Sequence, residues 1–216
     1  MRVRPGRVRV RERDATATRL QTQSAALLEE RRTKGRLLAR VRNDRAMERA
    51  VLVELERASR ALEEKLVALG ESQKRAGSAF EGADFESKRG KLKLPVHGEV
   101  TSKFGVAIDA EFRTETFNKG VEIGAELGSS VRAVAFGEVR FAGWFRGYGK
   151  VVILDHGDQY FTVSGHLADI YVEVGQAVDA GDTLAISGDT GSLTGPSFYF
   201  EVRKAREPLD PMAWLK

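Results

Sequence analysis

The sequence predicts an N-terminal α-helical coiled coil followed by a C-terminal all-β domain, an antiparallel sandwich or barrel. Three observations carry that expectation. From Ala15 to Leu69 the chain has no proline and one glycine, Gly35, and is dominated by Ala, Leu, Glu and Arg, residues that lose little freedom in a helix. Sixteen of the 22 glycines lie after residue 90. In that same region, short runs rich in β-branched and aromatic residues recur between turn residues.

The helical part carries an apolar stripe. Val51, Leu55, Ala58, Leu62, Leu66 and Leu69 step by 4, 3, 4, 4 and 3, which places them on one helix face. Upstream, Leu20, Leu27, Leu38 and Val41 form a looser stripe broken at Lys34 and Gly35. A single helix cannot bury such a stripe against itself. Residues 1–70 therefore read as a coiled-coil spacer, or as a helix whose last part, 46–70, docks on the C-terminal domain or on another protein. Residues 71–93 are polar and read as a linker, with a short helical turn around Phe80–Phe85. The β domain is expected over 94–216. Its strands are "GEVTSKFG", "SSVRAVAFGEVRFAGW", "GKVVILDHG", "QYFTVSGHL", "IYVEVGQAVDAGDTLAISG" and "SFYFEVRK", with "DHGD" and "AGDT" as hairpin connections. Trp214 and Leu215 pin the end of the chain to the core.

Composition narrows the function. Residues 1–90 carry 22 Lys/Arg against 14 Asp/Glu, and residues 91–216 carry 13 against 17. The basic excess is Arg spaced among Glu and Leu, the pattern of a solvated helix face, so no nucleic-acid partner is expected. There is no cysteine, which excludes disulfides and thiolate metal sites. No apolar run of the roughly 18 residues a span requires is present, so no transmembrane segment is expected. The opening "MRVRPGRVRVRERDA" is charged without an apolar segment behind it and does not read as an export signal.

Taken in order, "GEVTSKFG", "GSSVRAVAFGEVRFAGWFRGYGKVVILDHG", "TVSGHL", "VEVGQAVDAGDTLAISGDTGSLTGPSFYFEVR" and "PLDPMAWL" resemble the LytM domain of lysostaphin-like zinc endopeptidases, which cut peptidoglycan peptides. The resemblance covers about residues 94–215. It implies a zinc held by a His, an Asp four residues later and the second His of a His-x-His pair. In this sequence those positions fall on Asn118, Glu122 and the Ser197/Tyr199 pair, and only His166 keeps a catalytic-type imidazole. His97 and His156 match no ligand position. Catalytic zinc takes three protein ligands and a water, and one plausible ligand of three remains. No catalytic residue, metal or cofactor is therefore expected.

A helical region ahead of a metal-less LytM domain resembles the EnvC-type murein hydrolase activators. That resemblance implies a groove that binds a zinc N-acetylmuramoyl-L-alanine amidase and activates it during septum splitting in the periplasm. It further implies a coiled coil that answers to FtsE–FtsX, and a helix that covers the groove until then. The covering helix falls on the stripe containing Val51, Leu55, Leu62 and Leu66. In the groove, period-2 alternation lines up Ser197, Tyr199, Glu201 and Arg203. Ser164 and His166 are expected on the neighbouring strand, beside Glu122 and Asn118, with Lys119 and Tyr148 at the rims. Other readings are a peptidoglycan-binding LytM domain, an atypical zinc endopeptidase, and a lipoyl-like adaptor of a secretion or efflux system. The last is suggested by "VEVGQAVDAGDTLAISG" but lacks a carrier Lys.

Overall fold

The computed structural model describes residues 47, 49–71, 84–108, 115–192 and 195–216. The coiled coil expected upstream of these, with its Leu20–Val41 stripe, lies outside them. The chain divides into two compact units, Met1–Val53 and Glu54–Lys216. The described residues of the first are helical. The second begins within the same helix, α1 (residues 49–71), and contains the whole β domain.

The second unit is predominantly antiparallel sheet, as its alternating runs predict. In the main sheet β1 (Glu99–Ser102), β4 (Val121–Gly124), β11 (Phe198–Lys204), β8 (Tyr160–Ile170), β7 (Gly149–Asp155), β6 (Gly137–Phe145) and β9 (Ala177–Val178) lie side by side in that order. β10 (Thr183–Ser187) pairs with β8 and with β5 (Ser130–Arg132), and β12 (Glu207–Leu209) pairs with β11. β2 (Gly105–Ile108) and β3 (Glu115–Asn118) form a separate two-stranded ribbon.

The central strands are covered on both faces. In β7 the run Val151–Val152–Ile153–Leu154 is apolar throughout instead of alternating, the pattern of a strand buried on both sides. Val152 and Leu154 join the main core with Val121, Ile123, Phe198, Phe200 and Val202. Val151 and Ile153 join a second cluster with Phe161 and Val163 of β8.

Residues 84–93, expected as linker, instead pack on the β domain. Phe85, just before a 3-10 turn at Glu86–Lys88, is fully buried. Its ring stacks on His156 at 4.4 Å and on Trp214 at 4.9 Å between centroids. Leu92 forms a parallel bridge with Leu215. Two isolated apolar residues in a polar stretch have no period to reveal them. His156 is buried, with Nδ1 2.7 Å from the Phe136 carbonyl oxygen and Nε2 2.8 Å from Thr162 Oγ1. Burial disfavours its cation and brings its pKa down to about 4.

Candidate docking groove

β11 supplies the floor of the site. Strand alternation turns Phe198, Phe200 and Val202 into the main core and Tyr199, Glu201 and Arg203 to the other side. Register puts Tyr199 opposite Glu122 of β4 and Gly165 of β8, Glu201 opposite Val163, and Arg203 opposite Phe161. The polar side chains form a connected row. The Tyr199 hydroxyl donates to Glu201 Oε2 at 2.9 Å, and Arg203 Nη1 donates to Glu201 Oε1 at 2.6 Å. Arg203 Nη2 donates to the Arg206 carbonyl oxygen, whereas Arg203 Nε is buried with no hydrogen-bond partner.

Desolvation sets the electrostatics of this row. It pushes the Glu201 carboxyl above the usual range, against the pull of the Arg203 guanidinium and the Tyr199 hydroxyl. Burial, and then the neighbouring Glu201 charge, push the Tyr199 phenol well above its ordinary value. The same two causes raise Tyr148 to about 12. Both phenols are therefore neutral hydrogen-bonding groups at any physiological pH.

The roof over this row is α1, in its residues 54–71. Leu62 and Leu66, each 1% exposed, pack in one cluster with Val151, Ile153, Phe161, Val163 and Tyr199, edged by Leu69, Phe141, Phe145 and Tyr148. Burying two leucines is worth about 3–6 kcal/mol of transfer free energy before ordering costs. Ala58 is buried against Gly147 in the β6–β7 turn, where an added Cβ would collide with the Ala58 methyl. Glu63, next to Leu62, faces two cations: its Oε2 lies 3.0 Å from Lys119 Nζ, and its Oε1 lies 3.8 Å from Arg203 Nη2. The Lys119 hydrogen bond holds its carboxyl below the usual value against partial desolvation.

The other expected site residues are distributed as follows. Tyr148 and His166 lie beside Tyr199, with ring centroids 5.1 and 6.2 Å away. Glu122 is half-buried on the Tyr199 side. Lys119 is at the rim, held by Glu63. Asn118 Nδ2 donates to Ser102 Oγ at 2.8 Å and to the Lys103 carbonyl oxygen at 3.2 Å. Ser197 is buried, and its Oγ donates to Ser192 Oγ.

Ser164 requires a correction. Its register partners are Phe200 and Val152, and directly opposed residues share a sheet face, so Ser164 lies on the core side, not in the groove. His166 escapes that parity because it has φ 59°. The stripe is corrected too: Val51 and Leu55 are 42% and 41% exposed, and its buried part begins at Ala58. Sequence reasoning placed Ala58 on the stripe but missed its partner Gly147, and missed Glu63. The unbroken apolar run of β7 was the available signal that something covers this face.

These residues do not suit the zinc that the fold family implies. Among the described residues, no three His, Cys, Asp or Glu side chains come together as a metal-binding group. The amide nitrogen of Asn118 is committed to two oxygens, and the Tyr199 phenol is held in its neutral form. His166 Nδ1 is 2.8 Å from the Thr190 carbonyl oxygen, which makes it the donor and leaves Nε2 as a lone imidazole ligand atom.

Comparison with known proteins places this geometry. Residues 116–211 match Peptidase family M23. The groove floor on β11 lies within the residues that match this family. The likeness to LytM domains read from the sequence is thus borne out over the M23 region. The chain is 37% identical over 127 residues to the murein hydrolase activator EnvC of Escherichia coli, covering 59% of this chain and 29% of that protein. It is 32% identical over 143 residues to the cell division protein DipM of Caulobacter vibrioides, covering 63% of this chain and 23% of that one. It therefore spans less than a third of the length of either relative. A crystal structure of a zinc-containing peptidase from Vibrio cholerae superposes with a TM-score of 0.53 at 28% identity, covering 57% of this chain and 40% of that one. The fold is thus shared with a zinc-containing peptidase, while this chain carries Asn118, Glu122, Ser197 and Tyr199 at the positions where the resemblance implies zinc ligands.

Proposed function

We propose that this chain is a non-catalytic activator of peptidoglycan amidases in cell division, acting from the periplasm through its M23 groove. The observation that carries the reading is the floor of that groove: Tyr199, at a position where the LytM resemblance implies a zinc-binding His, and Arg203 both donate to Glu201, and an amphipathic helix sits over them. A cleft without ligands for a metal still offers aromatic and arginine side chains, the types enriched in binding hot spots. The names of its relatives, a murein hydrolase activator and a cell division protein, point the same way. In this reading residues 1–70 are the helical and coiled-coil region that answers to FtsE–FtsX, 71–83 connect it, and 94–216, with 84–93 packed on them, bind the amidase.

One groove and two ligands make occupancy mutually exclusive. With α1 seated the amidase is excluded, and with α1 released its docking segment takes the same surface. The switch can move only as far as the two ligands differ in affinity for the groove.

The test is the full chain with Leu62→Arg and Leu66→Arg, assayed with a zinc N-acetylmuramoyl-L-alanine amidase on dye-labelled sacculi. Dye release is expected to be low with the parent chain and at least about tenfold higher with the variant, since two lost leucine contacts exceed 1.4 kcal/mol. No stimulation by either protein overturns the reading. Cleavage of peptide cross-links by the chain alone, with stoichiometric zinc, overturns it in favour of a peptidase.

A further inference from the structure

The contact between Glu63 and the groove is poorly matched to what the groove offers. Arg203 is 1% exposed, yet its Nε has no partner, and the Glu63 carboxylate stops 3.8 Å from Nη2 while bonding Lys119 at 3.0 Å. A buried guanidinium nitrogen without an acceptor is costly. Nε and Nη2 form the edge of arginine that grips a carboxylate with two parallel hydrogen bonds. Glu201 already holds Nη1 and the Arg206 carbonyl oxygen accepts from Nη2, which leaves Nε and the second Nη2 proton to offer a further acid. Lys119 adds a further cation at the rim, with a side chain 24% exposed.

We propose that Lys119 and the Nε–Nη2 edge of Arg203 form a carboxylate subsite within the groove. Its intended occupant is an amphipathic helix of the partner amidase that bears a Glu or Asp beside the first of two apolar anchors four residues apart. This rests on the reading of the groove as an amidase-docking surface. Leu62, Glu63 and Leu66 of α1 supply the template: two anchors on Val151, Ile153, Phe161 and Val163, and a carboxylate beside the first. The resident helix is an imperfect stand-in, since it satisfies Lys119 and leaves Arg203 Nε unpaired. A partner whose acid also reaches Arg203 Nε gains a charge-assisted hydrogen bond that Glu63 of α1, 3.8 Å from Nη2, does not make, and so displaces α1 without needing larger apolar anchors. The favourable Lys119 and Arg203 charges that depress the Glu63 carboxyl agree with a site built for an anion.

The experiment uses the full chain with Leu62→Arg, Glu63→Gln and Leu66→Arg, which removes the resident anchors and acid while leaving the groove side chains intact. The probe is a fluorescein-labelled peptide with the sequence of residues 54–71, compared with the same peptide carrying Glu63→Gln. The parent peptide is expected to bind at least about tenfold more tightly than its glutamine version, as for a hydrogen-bonded charge. Lys119→Met in the opened chain should shrink that ratio severalfold and lower amidase stimulation in parallel. Equal binding of the two peptides, or no binding of either while the opened chain still stimulates the amidase, overturns the carboxylate subsite and leaves the docking reading standing. If the opened chain fails to stimulate any amidase, the docking reading itself falls, and the subsite falls with it.

Discussion

The two faces of β11 are equally buried and differ in what buries them. On one, Phe198, Phe200 and Val202 are enclosed by the β domain's own strands and by the segment before β1. On the other, Tyr199, Glu201 and Arg203 lie beneath a helix that approaches from the sequence ahead of the domain. The first face is apolar and has no use for water. The second is a row of hydrogen-bonding groups that would be well solvated if the cover left. A face whose burial depends on a separable element is chemically prepared for both states, and the polar row is what makes its exposure tolerable.

That contrast can be broken by mutation. Phe200→Ala on the core face is expected to cost about 3–5 kcal/mol of global stability, read from urea denaturation. A much smaller loss would mean that the core face is no more integral than the groove face.

Acid probes the core face second. His156 folds with a pKa of about 4 against 6.5 when unfolded, so the unfolded chain binds the extra proton between those values. Stability should be unaffected by this group above pH 6.5, fall as pH drops towards 4, and lose about 3 kcal/mol in all. Denaturation midpoints across that range, with and without His156→Gln, measure the effect.

Leu66→Ala on the groove side should act locally. Amide exchange in residues 54–71 is expected to accelerate as though α1 had lost about 2 kcal/mol of docking, while exchange in β7 and β8 stays at the global limit. Equal acceleration throughout would show that helix and sheet unfold as one. The smallest effect belongs to Arg146, whose guanidinium meets Glu54 at the surface with its side chain 81% exposed. Arg146→Ala should change stability by less than about 1 kcal/mol.

Much of this was legible in the sequence where a period was unbroken. In "SFYFEVR" strict alternation separates Tyr199, Glu201 and Arg203 from Phe198, Phe200 and Val202, and the structure keeps that separation. The spacing of Ala58, Leu62 and Leu66 likewise identifies a single helix face, and all three are buried. Legibility fails where the period breaks or a partner is needed. The positive φ of His166 puts Ser164 and His166 on different sides despite their spacing of two. Val51 and Leu55 continue the stripe in sequence, yet they remain exposed. Phe85 is identified only by the rings it meets, His156 and Trp214. Glu63 looks like any solvated helix acid until Lys119, 56 residues further on, is brought beside it.

The meeting of Ala58 with Gly147 has a consequence for how the cover can vary. Gly147 sits at φ 82° and has no room for a methyl, and Ala58 fills what space remains. Together they act as a depth gauge: the helix axis comes as near to the sheet as one alanine allows. A bulkier residue at either place would prop the helix up like a wedge under a lid, lifting Leu62 one turn along while leaving every groove side chain unchanged. Tolerance to substitution should therefore be narrowest at this small and chemically inert contact, well away from the charges below.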